Sequence, residues 1–430
     1  MSPSITGMAA PGAPHRTAVT PLRPLLARML KGLAVALLPA LFAAQPALAD
    51  NEKTTSVVYV ESNKAENNSI LAYRRDANGN LTRLGEYPTR GKGVFDLSLQ
   101  LGPFDSDQDI ITNPERTLLF AVNSGSDTVA VFRILPDGSL VHVAGSPFAS
   151  GGTNPVSVGL ARDTLIVVNK AMDPRRPSLT QPNYASFRVE PDGTLTALLS
   201  TVGAPPRSSP TQADISPSKR LVFDAQFLGG HLQSFLLDPA GALLPNAPEG
   251  LPASESERGT APLPLGLWAH PKQSILYVGF VTVNKVGVYT YDFLGGLTFV
   301  RSVPNSGVAV CWLRTNDDGT RLYTSNTGDG TVSVFDTTDP LTPVEIQKHK
   351  LRGVGNPFQL ELDPTGAYLY VLTQRADSSI PLGEGNTLHV LKVNRANGKL
   401  SEAGSSPIEL PVPTGTRPQG IAVTQLVGGQ

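Results

Sequence analysis

The chain has 430 residues and a formal net charge of −1, which excludes the strongly basic footprint of a nucleic-acid binder. Charged residues make up 17%, below the usual quarter, as suits a strand-and-turn protein with buried repeats. Cys311 is the single cysteine, so no intramolecular disulfide can form.

In chain order, residues 1–49 read as an export signal. Arg16, Arg23, Arg28 and Lys31 give a basic start, and an apolar run from Leu33 to Leu48 ends in Ala47-Leu48-Ala49 before Asp50. That is the small-residue pattern a signal peptidase cuts. Pro39 and Pro46 interrupt the run, which is too short to favour a membrane span, and no later apolar stretch approaches the necessary length. With no Arg-Arg pair, the general export route is expected, delivering a periplasmic or secreted protein cleaved after Ala49.

From Val57 onward one unit recurs. An apolar strand leads through a turn into an alternating strand, then a tight turn and a further strand. The cleanest copy is Leu322-Tyr323-Thr324-Ser325-Asn326, the turn Gly328-Asp329-Gly330, and Thr331 to Asp336. Period-2 alternation, as at Val332 and Val334 or Val129 and Val131, marks strands. The anchors Tyr59, Phe120, Ile166, Val222, Tyr277, Tyr323 and Tyr370 lie 61, 46, 56, 55, 46 and 47 residues apart. Their mean spacing of about 52 is near the kelch-blade period and far from helical solenoids.

A second punctuation follows each copy, at Asn78-Gly79, Asp137-Gly138, Asp192-Gly193, Ala240-Gly241, Gly295-Gly296, Asp339-Pro340 and Asn397-Gly398. Asn-Gly and Asp-Gly suit the positive φ of tight hairpins. Turns such as Asn113-Pro114, Ser216-Pro217 and Asp363-Pro364 add a preceding strand, making four per unit. The last stretch, Pro418 to Val423, reads as a first strand with nothing after it, and the copy beginning at Val57 lacks one. Pairing the two removes the open edges of the array. The expectation is therefore an all-β, seven-bladed β-propeller over 50–426, four strands per blade, closed by a composite N/C-terminal blade, with 427–430 a short tail. Insertions at 173–183 and 377–385 fall between second and third strands, and another at 249–262 lies between blades.

These copies, turns and the seven-fold count resemble the lactonase-type propellers, which include 6-phosphogluconolactonase-like and 3-carboxymuconate cyclase-like enzymes. The resemblance covers nearly the whole chain after residue 49. It implies hydrolysis or cycloisomerisation of a small carboxylated lactone or muconate-type acid at one mouth of the channel. It also implies a Ser-His-Pro-His-like run where Ser208-Ser209-Pro210-Thr211 stands, a Pro-Arg-His opening where Pro264-Leu265-Gly266 stands, and a glutamate near Phe280. The histidines and the arginine are absent, so catalytic residues are not assignable from the pattern.

Residues at equivalent places on the innermost strands converge in a propeller. Matching the copies brings together Asp109, Ser157, Gln212, Gly266, Trp312, Gln359 and Gly420, as a ligand site or as a water-lined channel. Asn154, Asn356, Arg207 and Arg417 stand at the strand entrances. The two arginines are candidate carboxylate anchors because a guanidinium fork matches a carboxylate, against the default of a solvated side chain. Asp105-Ser106-Asp107-Gln108-Asp109 begins like a calcium loop, but Ile110 and Arg116 occupy the positions of its glycine and bidentate glutamate. No metal and no cofactor are expected, since no close histidine spacing, phosphate loop or dinucleotide fingerprint is present. Cys311, in an apolar run, reads as an inert buried thiol.

Two readings follow. One is the lactone-directed enzyme, with Asp109, Gln212, Gln359 and an arginine replacing the missing groups. The other is a non-catalytic propeller that binds a protein or small ligand on one face. A quinone-dependent redox partner is the least supported, because no cysteine pair and no repeating tryptophan set is available. A monomer is expected.

Overall fold

A computed structural model describes residues 55–94, 105–173, 175–176 and 180–426. The leader 1–49 and the tail 427–430 lie outside the described residues. The seven sheets are the seven blades, each an antiparallel set of four strands. Blade 3 is representative, running from the inner strand Pro155–Ala161 through Thr164–Asn169 and Asn183–Val189 to the outer strand Leu195–Gly203. In blades 2, 4 and 7 the outer strand is broken into two short pieces, both paired to the third strand. At two of those breaks a serine hydroxyl takes over from the missing ladder carbonyl. Ser146 Oγ accepts the Val131 amide at 2.9 Å and Ser406 Oγ accepts the Val390 amide at 2.8 Å.

The composite blade is as expected. Gln419–Leu426 pairs with Thr55–Glu61 as the inner strand of blade 1, with Tyr59 opposite Ala422. Ring closure thereby pairs the first and last described strands with ordinary ladder bonds and gives blade 1 its inner strand.

Apolar residues on both sheet faces put the core between blades. Seven clusters of buried side chains fill the seven seams, one for each neighbouring pair. Each fully buried Val, Leu or Phe contributes about 1.5–3 kcal/mol, so these seams hold most of the stability. The anchor tyrosines add a polar staple. Tyr59 Oη donates to Gly138 O at 2.8 Å, Tyr277 to Pro340 O at 2.9 Å and Tyr323 to Gly398 O at 3.2 Å. Each acceptor lies in the hairpin turn of the next blade. Gly138 shows why that turn needs glycine: its φ is +85° and a Cβ there would lie 2.5 Å from Val57 Cγ2. Where the anchor is Phe120, Ile166 or Val222 no such hydroxyl exists.

The alternation of strand directions sorts the connections onto two faces. Inner strands enter from the face that also carries the second-to-third connections, here called the entry face. The first-to-second and third-to-fourth turns lie on the opposite, exit face. The described residues of the two second-to-third insertions sit on the entry face. Arg176 pins the first by ion pairs to Asp127 at 2.8 Å and Asp173 at 2.7 Å.

Candidate functional site

Successive side chains of a strand point to opposite faces, so a residue and its i+2 neighbour share one. On the inner strands this builds two polar tiers along the channel. The first holds the convergent set identified from the repeats. The second, two residues further on, holds Asp214, Trp268, Arg314 and Glu361 in four consecutive blades.

The segment Asp105–Asp109 runs into the channel and makes contacts to several blades. Lys170 Nζ donates to the Asp105 carbonyl. The Asp107 amide donates to Thr211 O at 3.2 Å, and Gln359 Nε2 donates to Ser106 O at 2.8 Å. Arg314 grips the Asp107 carboxylate with two nitrogens at 2.5 and 3.1 Å. Asp107 is thus a structural counter-ion. Among the described residues no group of three or more histidine, cysteine or acidic side chains is arranged to hold a metal.

In the first tier Asp109 is buried and accepts Ser106 Oγ at 2.9 Å. Desolvation, reinforced by the neighbouring Asp107 charge, lifts its carboxyl to about 7, although Ser106 and Lys170 pull the other way. Burial lowers Lys170 to about 8 despite nearby Asp105, Asp109 and Asp224. Glu61, fully enclosed and close to Asp109, is held well above the usual carboxylate range by desolvation. Gln212 Oε1 accepts the Leu267 amide at 3.2 Å. Among the described residues, buried Gln212 Nε2, Trp312 Nε1 and Gln359 Oε1 have no hydrogen-bond partner. Two glycines of the tier are packing requirements, since a Cβ at Gly266 would meet Cys311 O at 2.2 Å and one at Gly420 would meet Ile110 Cγ2 at 2.7 Å. Ser157 Oγ is occupied by the Ala213 amide.

The entrance residues divide. Asn154 donates to Ser124 O at 3.3 Å, and Asn356 donates to Thr327 O at 3.0 Å while accepting the Ala376 amide at 3.0 Å. Both side chains are tied to backbone, joining one blade to the loop of another. Arg417 is buried, donates to Gln374 Oε1 at 2.7 Å and lies 5.6 Å from the Phe358 ring centroid. Arg207 is exposed on the entry face, with φ +62°. The structure therefore gathers Asp109, Gln212, Trp312 and Gln359 on one tier and leaves Arg207 on the surface.

Where the resemblance places histidines and arginine, the entry side is apolar. Phe227, Leu265, Cys311, Trp312 and Phe358 form an eighth cluster there. Burial pushes the Cys311 thiol up to about 12, and its Sγ accepts Thr327 Oγ1 at 2.8 Å, in keeping with an unreactive thiol.

Lys170, Asp224 and the second tier were not singled out from the sequence. Lys170 carries no local signal. The second tier does, because stepping two residues from Gln212, Gly266, Trp312 and Gln359 reaches Asp214, Trp268, Arg314 and Glu361.

No family model matches the sequence, and no curated protein matches it. Solved structures match the fold. A candidate 6-phosphogluconolactonase from Bacteroides fragilis superimposes with a TM-score of 0.64 at 15% identity, covering 88% of this chain and 99% of that one. The periplasmic gluconolactonase of Pseudomonas aeruginosa gives 0.60 at 17% identity, covering 85% and 99%. A hypothetical selenium-binding protein from Sulfolobus tokodaii gives 0.60 at 12% identity, covering 87% and 94%. At such identities the likeness carries architecture: the chain has the seven-bladed fold of the lactonase-type propellers.

Proposed function

We propose that the protein is an exported, lactonase-like propeller acting on a small carboxylated lactone or muconate-type acid in the entry-side half of its channel. The observation that carries this reading is the trio of unpartnered polar atoms, Gln212 Nε2, Trp312 Nε1 and Gln359 Oε1. They share a tier with a carboxyl lifted to about 7. Leaving a buried polar group without a partner costs about 1–3 kcal/mol, so three on one tier favour a polar occupant.

The chemistry follows from those groups. Asp109, half-ionised near neutral pH, takes a proton from water as its oxygen attacks the lactone carbonyl. The ring C–O bond breaks, and Asp109 returns the proton to the departing alkoxide, giving the hydroxy acid. A base titrating near the working pH is best suited to that exchange. The Gln212 amide and Trp312 indole N–H groups stabilise the developing oxyanion. Lys170 and Arg417 supply positive charge for the ligand carboxylate. Cycloisomerisation of a muconate-type acid is a different step at the same groups. The substrate's own carboxylate oxygen adds across the conjugated C=C bond to form the ring C–O bond, and protonated Asp109 delivers the proton to the α-carbon, regaining it from water.

A second reading is favoured by a specific observation. Positions 208–211, 264–266 and 280 offer no imidazole or guanidinium, and Lys170 and Arg417 already hold protein partners. This is the non-catalytic propeller that binds a small carboxylate or a protein on one face. Turnover of a panel of lactones and muconates by the mature protein separates the two. For the enzyme, Asp109→Asn lowers kcat by about 10²–10⁴-fold with KM little changed. A carboxylate that raises the melting temperature without turnover, its effect abolished by Gln212→Ala, selects the binding reading. No turnover and no shift with any compound rejects a small-ligand function. Export is checked by the mass of the mature N-terminus, expected to begin at Asp50.

A further inference from the structure

The opposite end of the channel carries a separate feature. On the exit face the second tier opens into a cleft of about 540 Å³, within the roughly 300–1,000 Å³ of small-molecule sites. Gln108 and Arg314 line it together with Asp214, Trp268 and Glu361, while Arg116 and Lys219 stand among its lining residues on the turns of blades 2 and 4.

Its hydrogen-bonding groups are biased toward acceptors. Among the described residues the buried Gln108 Oε1 has no partner. Asp214 is buried, with one oxygen accepting the Ala269 amide at 2.7 Å. Glu361, whose side chain is 30% exposed, accepts Arg314 Nε at 2.9 Å. Trp268 is half-buried. Its indole N–H is occupied by Thr315 Oγ1 at 3.1 Å, and the Arg314 guanidinium lies 4.1 Å over its ring. The available chemistry is therefore acceptor oxygens beside the free portion of an indole.

Charge then narrows the ligand. Arg314 is matched on both sides, by Asp107 at 2.5 Å and Glu361 at 2.9 Å, so it has no charge left for an anion. An incoming anion would also meet Asp214 and Glu361 directly. A cation would find the Asp214 and Glu361 carboxyls already answered by the field of Arg314 and, at Asp214, of Lys219. Exposed Arg116 is screened by water and salt and contributes little. What remains favourable is an uncharged ligand bringing several O–H donors and a flat apolar face.

We infer that the exit-face cleft is a second binding site, distinct from the entry-side tier, for a neutral hydroxyl-rich ligand of the monosaccharide class. Gln108 Oε1, Asp214 and Glu361 receive its hydroxyls, and the exposed part of Trp268 packs against its ring. Asp214 suits the role because burial lifts its carboxyl to about 7, letting it accept a hydroxyl proton or donate one.

The test is calorimetric titration of the mature protein with D-glucose, D-glucuronate and D-glucosamine at pH 7, as neutral, anionic and cationic pyranose probes. D-Glucose is expected to bind most tightly, and Gln108→Leu to weaken it roughly ten-fold, the effect of losing one hydrogen bond to a buried acceptor. Glu361→Gln, on a partly exposed side chain, serves as a second variant and is expected to weaken glucose binding by about two- to three-fold, because a neutral amide oxygen accepts a hydroxyl less strongly than a carboxylate. Tighter binding of glucuronate or glucosamine than of glucose overturns the inference. So does no measurable glucose binding, or glucose binding unchanged in a Gln108→Leu protein whose unfolding transition matches the parent.

Discussion

The seams between blades and the channel they enclose are built on opposite principles. Every seam is an apolar cluster built from the same strands in the same places around the ring, and three of them add an anchor-tyrosine staple. The channel is polar, asymmetric and incompletely paired, with buried ion pairs, lifted carboxyls and unpartnered amides. Apolar burial is additive and tolerant of substitution, so it can be repeated seven times. Buried polar groups require individual partners, so each blade contributes something different. Stability lives in the repeated part, and whatever chemistry the protein performs belongs to the part that breaks the repeat.

The largest effect that tests this division comes where a seam carries a buried charge. Arg75, in blade 1, is enclosed between blades 1 and 7. It donates to Tyr370 Oη at 3.0 Å, pairs with Asp363 at 3.3 Å and covers the Tyr368 ring at 4.1 Å. Arg75→Ala leaves Asp363 buried without its cation and should destabilise by about 3–5 kcal/mol, read from urea unfolding. A loss below about 1 kcal/mol would mean that ring closure rests on the two-strand pairing alone.

The channel should reveal itself through pH. Burial lifts Asp109 and Asp214 to about 7 and Asp224 to about 6, against about 3.9 in the unfolded chain. Between those values the folded state binds more protons than the unfolded one, so stability falls as pH rises. It is greatest below about 4 on this account and has lost the contribution by about pH 7. Glu86 and Glu402, held below their ordinary values by hydrogen bonds and ion pairs, act in the opposite sense at more acidic pH. His142, His270, His349 and Lys170, lowered by burial, oppose the trend within the window without matching three carboxyls lifted to about 6–7. The urea midpoint should thus be higher at pH 5 than at pH 8, and Asp109→Asn should narrow that gap. A midpoint that rises across this range would show that the channel carboxyls are solvated.

The smallest effect concerns the staples. Tyr323→Phe removes the bond to Gly398 O but keeps the ring in its seam, and should cost about 1 kcal/mol in the same unfolding assay. Phe120 already occupies the equivalent anchor in blade 2, so a much larger loss would contradict the equivalence of the seams.

Much of this was legible beforehand. Strand alternation, the spacing of the anchors and the Asn-Gly and Asp-Gly turns are local signals, and local signals repeated seven times specify strands, turns and blade count. The orphaned inner strand at Gln419–Leu426 announced the composite closure for the same reason. The tier of Asp109, Gln212, Trp312 and Gln359 was also readable, because equivalent positions in a closed ring must face one axis. What each residue does there was not. Asn154 and Asn356 matched a binding-site pattern yet join loops to neighbouring blades, while Lys170 gave no sequence signal and lies buried beside Asp105.

The sequence by itself determined the architecture, since period, turn chemistry and apolar patterning depend only on near neighbours in the chain. Only the tertiary structure decided which charges meet. Arg314 and Asp107 are separated by 207 positions, and Gln359 and Ser106 by 253. No periodicity encodes such pairs, because they arise only when the ring closes and brings its far sides within hydrogen-bond reach.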